Sequence, residues 1–378
     1  MAAIAPGSAA ELLALLRKSA LSPAKLKAIP DAGELPADPR AAADALVQRG
    51  LITSFQAGQL LAGRYKGFRV GPYVIQDLIG RGGMGAVYQA EHIDLQRKVA
   101  VKVLTPTRGD GQQLAAERFM REARAAAALD HPNIVRVFDV SRHGDTPYLV
   151  LEFVDGETLQ QRIDRDGPLP AEVAAEYIAQ AAAGLQHAHE RGLVHRDIKP
   201  GNLMRDRAGV IKIMDMGLAR SGSDQDKLTE MLDNGAVVGT ADYISPEQAM
   251  NCQSIDVRAD IYSLGATFYT LVTGKAPFEG NTTQKLMQHQ FKMPPPLSKV
   301  NPDVPSELSA VVTKMLAKKP DDRYQTPAEV VEALAPWAAT SSRVLVGLSS
   351  TNVRGTDSRT ALLERAAGSS FRLRKPGP

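Results

Sequence analysis

The chain has 378 residues, of which 44% are hydrophobic and 23% charged, the usual composition of a folded protein with a buried core. Its formal net charge of +3 is too small to indicate nucleic acid or an anionic membrane surface as the main partner. The single cysteine, Cys252, excludes an internal disulfide and is interpreted as a structural thiol, and no Cys/His cluster has zinc-ligand spacing.

Neither a leader peptide nor a membrane anchor is evident in the sequence. Glu11, Arg17 and Lys18 interrupt the apolar part of the N-terminus, which also lacks the basic start of a signal peptide. Nowhere do about 18 consecutive apolar residues occur, as a helix that spans a bilayer would need. We therefore expect a cytoplasmic protein with no membrane span in this chain.

Residues 1–70 are predicted to form a small helical N-terminal extension. Leu12 and Leu16 belong to one apolar helical stripe and residues 55–61 to another, so we expect two to four short helices. A DNA-binding helix-turn-helix unit is the alternative interpretation. The basic residues of this segment are scattered rather than confined to one face, which favours a packing or docking module.

From Tyr73 onward the pattern changes to alternating strands and then to amphipathic helices. The predicted strands are residues 73–79, 85–91, 98–104, 134–140 and 148–153. The predicted helices are residues 112–129, 170–190, 259–272, 283–290, 306–317 and 326–337. A β-rich lobe followed by an α-rich lobe predicts an α+β, bilobal domain over residues 73–337, with a cleft between the lobes. Residues 338–378 are rich in Ser, Thr and Arg and are expected to form a flexible tail.

A glycine-rich loop, residues 80–85, connects the first two predicted strands. Glycines let backbone N–H groups approach phosphate because no Cβ atom stands in the way. Dinucleotide-binding folds have the same glycine spacing, but there the loop leads into a helix. Here the loop leads into a strand that begins near Ala86, which counts against a dinucleotide-binding fold.

Lys102 lies in an apolar predicted strand. A lysine that faces inward needs an anionic partner, because an unpaired buried charge is costly. Glu122 in the following helix is the expected partner and Glu117 the alternative, and such a lysine can also reach nucleotide phosphates. The other interpretation is a lysine at a sheet edge that extends its charge into solvent.

The segment of residues 195–202, with Asp215 shortly after it, carries the polar groups that phosphoryl transfer needs. Asp197 can accept a hydrogen bond from an attacking hydroxyl and so orient it. Lys199 can stabilise the charge of the transferring phosphoryl group. Asn202 and Asp215 offer the hard oxygen ligands that magnesium prefers. His195 is interpreted as a packed structural residue.

These motifs and their order resemble the protein kinases of the eukaryotic type, over residues 73–337. Residues 198–202 and 239–247 resemble the serine/threonine class, and residues 82–85 and 155–159 are similar to bacterial members. The resemblance implies the bilobal protein kinase fold. It also implies transfer of the ATP γ-phosphoryl group to Ser or Thr of protein substrates, with autophosphorylation, in bacterial signalling.

The resemblance further implies roles for individual residues. Asp197 is expected to be the catalytic base and Lys199 to assist the transfer, with Asn202 and Asp215 as the metal ligands. Lys102 and Glu122 are expected to form the ion pair of the active state. The cofactor-binding residues that it implies are Ile79, Gly80, Arg81, Gly82, Gly83, Met84, Gly85, Ala86, Val87, Ala100, Lys102, Glu122, Glu152, Val154 and Met204.

Outside the cleft the same resemblance implies structural supports. Glu247 and Arg323 resemble the buried ion pair that braces the larger lobe, and Asp260 resembles the helix carboxylate that holds the catalytic loop. Met216 stands where these kinases usually have Phe. Because methionine fills an apolar space with a flexible side chain, we expect activity to survive this difference.

The segment before Gly239 also departs from the pattern. Bacterial relatives often carry phosphorylated threonines there, next to an arginine equivalent to Arg196. Here the segment lacks them, so we expect Asp233 to substitute in part for the phosphate or Thr229 to receive it.

The expected cofactors are ATP and Mg²⁺, with Mn²⁺ as an alternative metal. The expected partners are protein substrates and not nucleic acid, and dimerisation is expected to serve autophosphorylation. Two other functions are alternatives. A pseudokinase that binds without turnover is disfavoured by the complete set of charged catalytic positions. A small-molecule phosphotransferase is disfavoured because residues 239–247 and the helices after them resemble a surface for protein substrates.

Overall fold

The computed structural model describes residues 4–21, 23–82, 85–104, 112–144, 146–216, 240–250 and 255–350. In chain order these residues form a group of short helices, a six-stranded sheet and a helical lobe that carries a second, three-stranded sheet. This arrangement confirms the α+β, bilobal fold. Several residues singled out in the sequence lie outside the described residues: Gly83, Met84, Thr229, Asp233 and Cys252.

The described residues of the N-terminal unit, 4–21 and 23–70, form four α-helices, at the upper end of the two to four expected: α1 (Ala9–Lys18), α2 (Pro23–Lys27), α3 (Pro39–Gln48) and α4 (Ser54–Leu61). Ser8, Asp38 and Thr53 cap α1, α3 and α4 by accepting hydrogen bonds from N–H groups of the first turn. The leucines of these helices form one buried cluster, which also contains Phe68 and Val74. The N-terminal unit therefore shares its core with the first long strand of the sheet.

The six-stranded sheet is antiparallel, with the strands in the order β1-β2-β3-β4-β6-β5. Its strands are β1 (Arg69–Val70), β2 (Tyr73–Gly82), β3 (Gly85–His92), β4 (Lys98–Leu104), β5 (Val137–His143) and β6 (Thr146–Glu152). Helix α5 (Gln112–Ala127) packs against β5 and β6. In the register of the sheet, Lys102 lies opposite Val87 on β3 and Leu149 on β6. The sheet thus carries Lys102 on a central strand, next to the strand that follows the glycine-rich loop.

The helical lobe is built around two long helices, α7 and α9, which share its apolar core. Its helices are α6 (Leu159–Asp166), α7 (Ala171–His189), α8 (Pro246–Ala249), α9 (Arg258–Thr273), α10 (Thr282–Phe291), α11 (Leu297–Val300), α12 (Ser306–Met315) and α13 (Pro327–Ser350). Every residue of α9 from Ala259 to Val272 is buried. None of the helices in the described part of the chain is both long and apolar enough to cross a membrane.

Helix α13 is longer than the sequence pattern indicates. It packs along α7 and continues to Ser350, so the first part of the segment predicted as a flexible tail is helical. Pro336 did not end the helix, although a proline removes one backbone hydrogen bond. Residues 351–378 lie outside the described residues.

A second, smaller sheet lies where the lobes meet, with its strands in the order β7-β8-β9: β7 (Gly156–Thr158), β8 (Leu203–Asp206) and β9 (Ile211–Ile213). The N–H of Ile213 donates to the carbonyl of Asn133, and the N–H of Val135 donates to the carbonyl of Ile213, both at 2.9 Å. These bonds join β9 to the segment between α5 and β5. Asp215 follows β9 directly and is placed by this junction.

Candidate active site

A buried carboxylate holds the loop of residues 195–202, called here the Asp197 loop. Asp260 on α9 accepts hydrogen bonds from the N–H groups of His195 at 2.8 Å and Arg196 at 2.7 Å. His189 Nε2, at the end of α7, lies 2.8 Å from the same carboxylate. Arg196 has φ 66°, in the left-handed region that favours glycine, and its bond to Asp260 helps to hold it there.

Asp260 stays ionised although it has no exposed surface. Burial acts to raise its pKa, but the hydrogen bond and charge of His189 and the charge of His195 outweigh burial and lower the pKa. The carboxylate can therefore act as a charged acceptor for the loop backbone across the neutral pH range.

Within the Asp197 loop, three predicted site residues meet. Lys199 Nζ donates to both carboxylate oxygens of Asp197, at 3.1 and 2.9 Å. Asn202 Nδ2 donates to the main-chain oxygen of Asp197 at 2.7 Å and to its Oδ2 at 2.9 Å. The carboxylate of Asp197 is thereby held in one orientation while its side chain keeps 20% of its surface exposed. An exposed, oriented carboxylate can accept a hydrogen bond from an incoming hydroxyl.

His195 is only 1% exposed and joins the Asp197 loop to the segment around Asp215. Its Nδ1 accepts a hydrogen bond from the N–H of Asp197 at 3.2 Å, and its Nε2 lies 2.8 Å from the carbonyl oxygen of Met214. With both ring nitrogens engaged in this way, the contacts support the interpretation of His195 as a structural residue.

Lys102 forms an ion pair with Asp215. Its Nζ lies 2.6 Å from Oδ1 of Asp215. Asp215 follows β9, so this ion pair joins the central strand β4 to the second sheet. Glu122 is buried on α5, and its pairing with Lys102 stays a prediction.

The two candidate metal ligands fit a hard cation in their chemistry. Asn202 uses its Nδ2 as a donor to Asp197, which leaves its amide oxygen as the group able to bind a cation. Asp215 is held in the left-handed backbone region at φ 55°, and its side chain is 41% exposed. Carboxylate and amide oxygens are the ligands that Mg²⁺ prefers in proteins.

The remaining predicted nucleotide-binding residues lie on strands β2, β3, β4 and β8 or just after β6. In the β2–β3 ladder, Gly80 lies opposite Val87, Arg81 opposite Ala86, and Gly82 opposite Gly85. Ala100 and Val154 are buried, Ala86, Val87 and Met204 are half-buried, and the side chain of Ile79 is 50% exposed. A Cβ atom at Gly85 would lie 2.0 Å from the carbonyl oxygen of Val103, so only glycine fits at this position.

Glu152 ends β6, the strand that connects the two lobes. Its carboxylate forms an ion pair with Lys212 on β9 at 2.9 Å, and its N–H donates to the carbonyl of Arg136 at 2.9 Å. The side chain of Glu152 therefore braces the connection between the lobes.

The family of the chain follows from comparison with known proteins. The family model for the protein kinase domain matches residues 73–335, which is more than half of the chain. The chain belongs to the protein kinase family. The match ends two residues before the boundary expected from the sequence pattern at residue 337.

The most similar curated relatives include bacterial serine/threonine-protein kinases. PknB of Mycobacterium leprae is 43% identical over 263 residues, covering 68% of this chain and 42% of the relative. Pkn1 of Myxococcus xanthus is 40% identical over 306 residues, covering 79% and 42%. PrkC of Bacillus subtilis is 38% identical over 277 residues, covering 73% and 40%. The aligned part of the chain thus spans about two fifths of these relatives.

Solved structures point to the same fold. The kinase domain of Mycobacterium tuberculosis PknI aligns with a TM-score of 0.55 and 30% sequence identity, covering 71% of this chain and 98% of that domain. The N-terminal unit, residues 1–70, precedes the residues that the family model matches.

A buried ion pair braces the helical lobe of the kinase domain at the predicted position. Arg323 donates to both carboxylate oxygens of Glu247 at 2.8 Å, and neither residue is more than 7% exposed. Arg323 also donates to the carbonyls of Ala317, Lys318 and Arg258. The guanidinium thus joins α8, α9 and the end of α12 at a single point.

Three supports of the kinase domain were missed in the sequence. His189 contacts Asp260, Lys212 pairs with Glu152, and Gln248 Nε2 donates to the carbonyl of Arg196 at 2.9 Å. Of these only Gln248 had a local signal, because Ser245 and Gln248 form a capping box at the start of α8. The other two join parts of the chain that are far apart in sequence.

Met216, the departure from the kinase pattern, is 5% exposed within the core of the helical lobe.

Proposed function

We propose that the chain is an ATP-dependent protein serine/threonine kinase that also phosphorylates itself, in bacterial signalling. The observation that carries this proposal is the orientation of the Asp197 carboxylate by Lys199 and Asn202. The ion pair between Lys102 and Asp215 adds the charges that nucleotide phosphates and a metal ion need. The names of the similar bacterial relatives support the same activity.

Each charged residue then has a defined task. Asp197 orients the substrate hydroxyl and accepts its proton, and Lys199 neutralises charge on the phosphoryl group during transfer. Lys102 holds nucleotide phosphate. Asn202 and Asp215 would hold Mg²⁺, or Mn²⁺ as the alternative, and the ion would neutralise phosphate charge when bound.

The binding residues are proposed on the same basis. The glycine-rich loop, including Gly83 and Met84, covers the phosphates. Ile79, Val87, Ala100 and Met204 form apolar walls around adenine, and the main chain between Glu152 and Val154 provides hydrogen bonds to it. Glu122 is proposed to take over Lys102 in the active state, when Asp215 turns to the metal.

The proposal extends to organisation and partners. Residues 1–70 form a helical extension, residues 73–337 the kinase domain, and residues 338–378 a tail whose first part, up to Ser350, continues helix α13. We propose a cytoplasmic location, protein substrates without nucleic acid, and dimerisation for autophosphorylation. The location is proposed because no helix among the described residues is long and apolar enough to span a membrane. Partners other than nucleic acid are proposed because the net charge is small.

Phosphate incorporation in the presence of Mg²⁺ tests the activity. The wild-type chain should label itself and a Ser/Thr protein substrate, and Asp197→Asn should lower the rate by about 1,000-fold or more, because the hydroxyl loses its acceptor. Asp303→Asn, in an exposed turn of the same lobe, is the matched control and should keep the wild-type rate. Equal labelling by Asp197→Asn and the wild type would rule out the proposed mechanism, and no labelling by either would favour a pseudokinase.

Mapping of autophosphorylation sites by mass spectrometry tests the activation hypothesis. We expect phosphate on Thr229, or partial activity without phosphate through Asp233. If Thr229→Ala and Asp233→Asn both leave autophosphorylation and activity unchanged, neither residue supplies the charge beside Arg196.

A further inference from the structure

We propose that Thr53 and Gln56 of the N-terminal unit are positioning residues for nucleotide binding. They fix the strand that leads into the glycine-rich loop, and in this way they set the affinity for ATP. This inference rests on the proposed kinase function but concerns residues that lie outside the matched kinase domain.

The first step is that β2 becomes the edge of the sheet shortly after it begins. Strand β1 has two residues and pairs only with Tyr73 and Val74. The N–H of Ile75 still donates to the carbonyl of Phe68 at 2.9 Å, and beyond this bond no strand in the described chain lies on the outer side of β2. An uncovered edge leaves main-chain groups to be satisfied by side chains or water.

The second step is that helix α4 supplies these partners. Gln56 Nε2 donates to the carbonyl of Ile75 at 2.6 Å, and Thr53 Oγ1 donates to the carbonyl of Gln76 at 2.5 Å. Gln56 has no exposed surface, so its amide is committed to this contact and is not a surface group that happens to lie nearby.

The third step is that both bonds fall on a β-bulge. The register of β2 against β3 passes from Ile75 to Asp77, which leaves Gln76 as an extra residue, and it shifts again between Leu78 and Gly80. A bulge bends its strand and changes the direction of the residues that follow. Fixing the carbonyls of Ile75 and of the bulged Gln76 therefore constrains the direction in which β2 continues toward Gly80.

The fourth step is that the same two side chains also start helix α4. Gln56 Oε1 accepts from the N–H of Thr53 at 3.0 Å, and Thr53 Oγ1 accepts from the N–H of Gln56 at 3.2 Å. Each side chain thus bonds the helix with one contact and the strand with another. The helix start and the strand bulge form a single hydrogen-bonded structure, so one cannot shift without the other.

Apolar contacts hold the N-terminal unit in place around these bonds. Phe68 and Val74 belong to the same buried cluster as the leucines of α1, α3 and α4. The ring of Phe55 lies 6.2 Å from that of Tyr88 on β3. The unit consequently contacts both strands that flank the glycine-rich loop, although none of its residues is among the proposed nucleotide ligands.

The test compares four single variants of the full chain. Gln56→Met keeps the size of the side chain but removes its donor and acceptor, and Thr53→Val removes the hydroxyl. Thr53→Ser keeps the hydroxyl. Ser8→Ala is the matched control, because it removes the N-cap of α1 in the same unit without touching β2.

The readouts are the dissociation constant of ATP by calorimetry and the KM values for ATP and for a peptide substrate. We expect Gln56→Met and Thr53→Val to weaken ATP binding and raise its KM about three- to tenfold, which corresponds to the one hydrogen bond to β2 that each variant loses, with the peptide KM unchanged. Thr53→Ser and Ser8→Ala should stay within about twofold of the wild type. Thermal unfolding identifies any variant that fails to fold. If Gln56→Met does not fold, Thr53→Val alone tests the inference.

The inference is overturned if folded Gln56→Met and Thr53→Val bind ATP as the wild type does. It is also overturned if Ser8→Ala weakens ATP binding equally, since the effect would then reflect general loss of stability. These outcomes are distinct from failure of the proposed function, in which the wild type binds ATP and transfers no phosphate.

Discussion

Lys102 and Asp215 form an ion pair between the two lobes, with Nζ of Lys102 lying 2.6 Å from Oδ1 of Asp215. The lysine stands on the central strand β4, whereas the aspartate follows β9 in the smaller sheet. The side chain of Lys102 is 11% exposed and that of Asp215 is 41% exposed, so the pair is open to solvent mainly on the side of the aspartate.

Replacement of Lys102 should affect activity far more than stability. We expect Lys102→Met to lower kcat/KM by about 100-fold or more, because the charge that holds nucleotide phosphate is lost. The midpoint of thermal unfolding should change little, since Asp215 remains partly exposed to water. The control is Lys314→Met, which removes a lysine that lies over the ring of Tyr324 in the helical lobe. A similar loss of activity in both variants would contradict a specific role for Lys102.

Removal of the charge of Asp260 should loosen the Asp197 loop. Asp260→Asn retains the shape of the side chain but turns one acceptor into a donor that faces a backbone N–H or His189. We expect a loss of about 3 kcal/mol in the free energy of unfolding, together with a lower kcat. Urea denaturation and steady-state kinetics measure the two effects. Asp256→Asn, which breaks a more exposed ion pair with Arg258 just before α9, should cost less than about 1 kcal/mol.

The ion pair of Glu247 and Arg323 should behave as a strongly coupled unit. We expect Glu247→Gln to cost about 3 kcal/mol of unfolding free energy, because a buried guanidinium then lacks its counter-charge. Arg323→Met should cost more, since three carbonyls lose their donor as well. A double-mutant cycle with urea denaturation should give a coupling free energy of about 2 kcal/mol. Additive effects of the two substitutions would disagree with the buried geometry.

His289 should make the helical lobe sensitive to acid. The residue has no exposed surface, and its Nδ1 lies 2.9 Å from the hydroxyl of Tyr262. Burial lowers its pKa from 6.5 to about 3, and the charge of Lys318 acts in the same direction. The unfolded state therefore takes up a proton below pH 6.5 that the folded state takes up only near pH 3. Stability contributed by the neutral imidazole is present above pH 6.5 and is lost as the pH falls through this window.

The measurement is urea denaturation at pH 7 and at pH 4.5. Between these values the wild type should lose about 2–3 kcal/mol more than His289→Gln, which has no titrating side chain at this position. Parallel losses in the two proteins would show that His289 does not determine the acid sensitivity.

Local motifs were the part of the site that the sequence could predict. Asp197, Lys199 and Asn202 lie within six residues, so the geometry of one short loop brings them together wherever the loop is placed. Asp260 lies far along the chain, and its contact with the loop came from the family resemblance. The fold class followed from the order of strands and helices, because each period of apolar residues selects one type of element.

Contacts between distant elements were the part that could not be predicted. The ion pair of Lys102 with Asp215 joins two strands that are far apart in the sequence. Gln56 has the pattern of an ordinary polar helix residue, and only the packing of α4 against β2 buries it. Helix α13 passes Pro336 because packing against α7 outweighs the lost hydrogen bond. In each case tertiary packing overrides what the local sequence indicates.

The main-chain bonds of Ile213 to Asn133 and Val135 limit how the cleft can open. They tie the two lobes together at a point two residues before Asp215. A rotation of one lobe against the other therefore has its axis near this point, where displacements are smallest. Asp215 lies close to this axis, and the contact of His195 Nε2 with the carbonyl oxygen of Met214 ties the Asp197 loop to the same region. Asp215 and the Asp197 loop therefore keep their mutual distance when the lobes rotate.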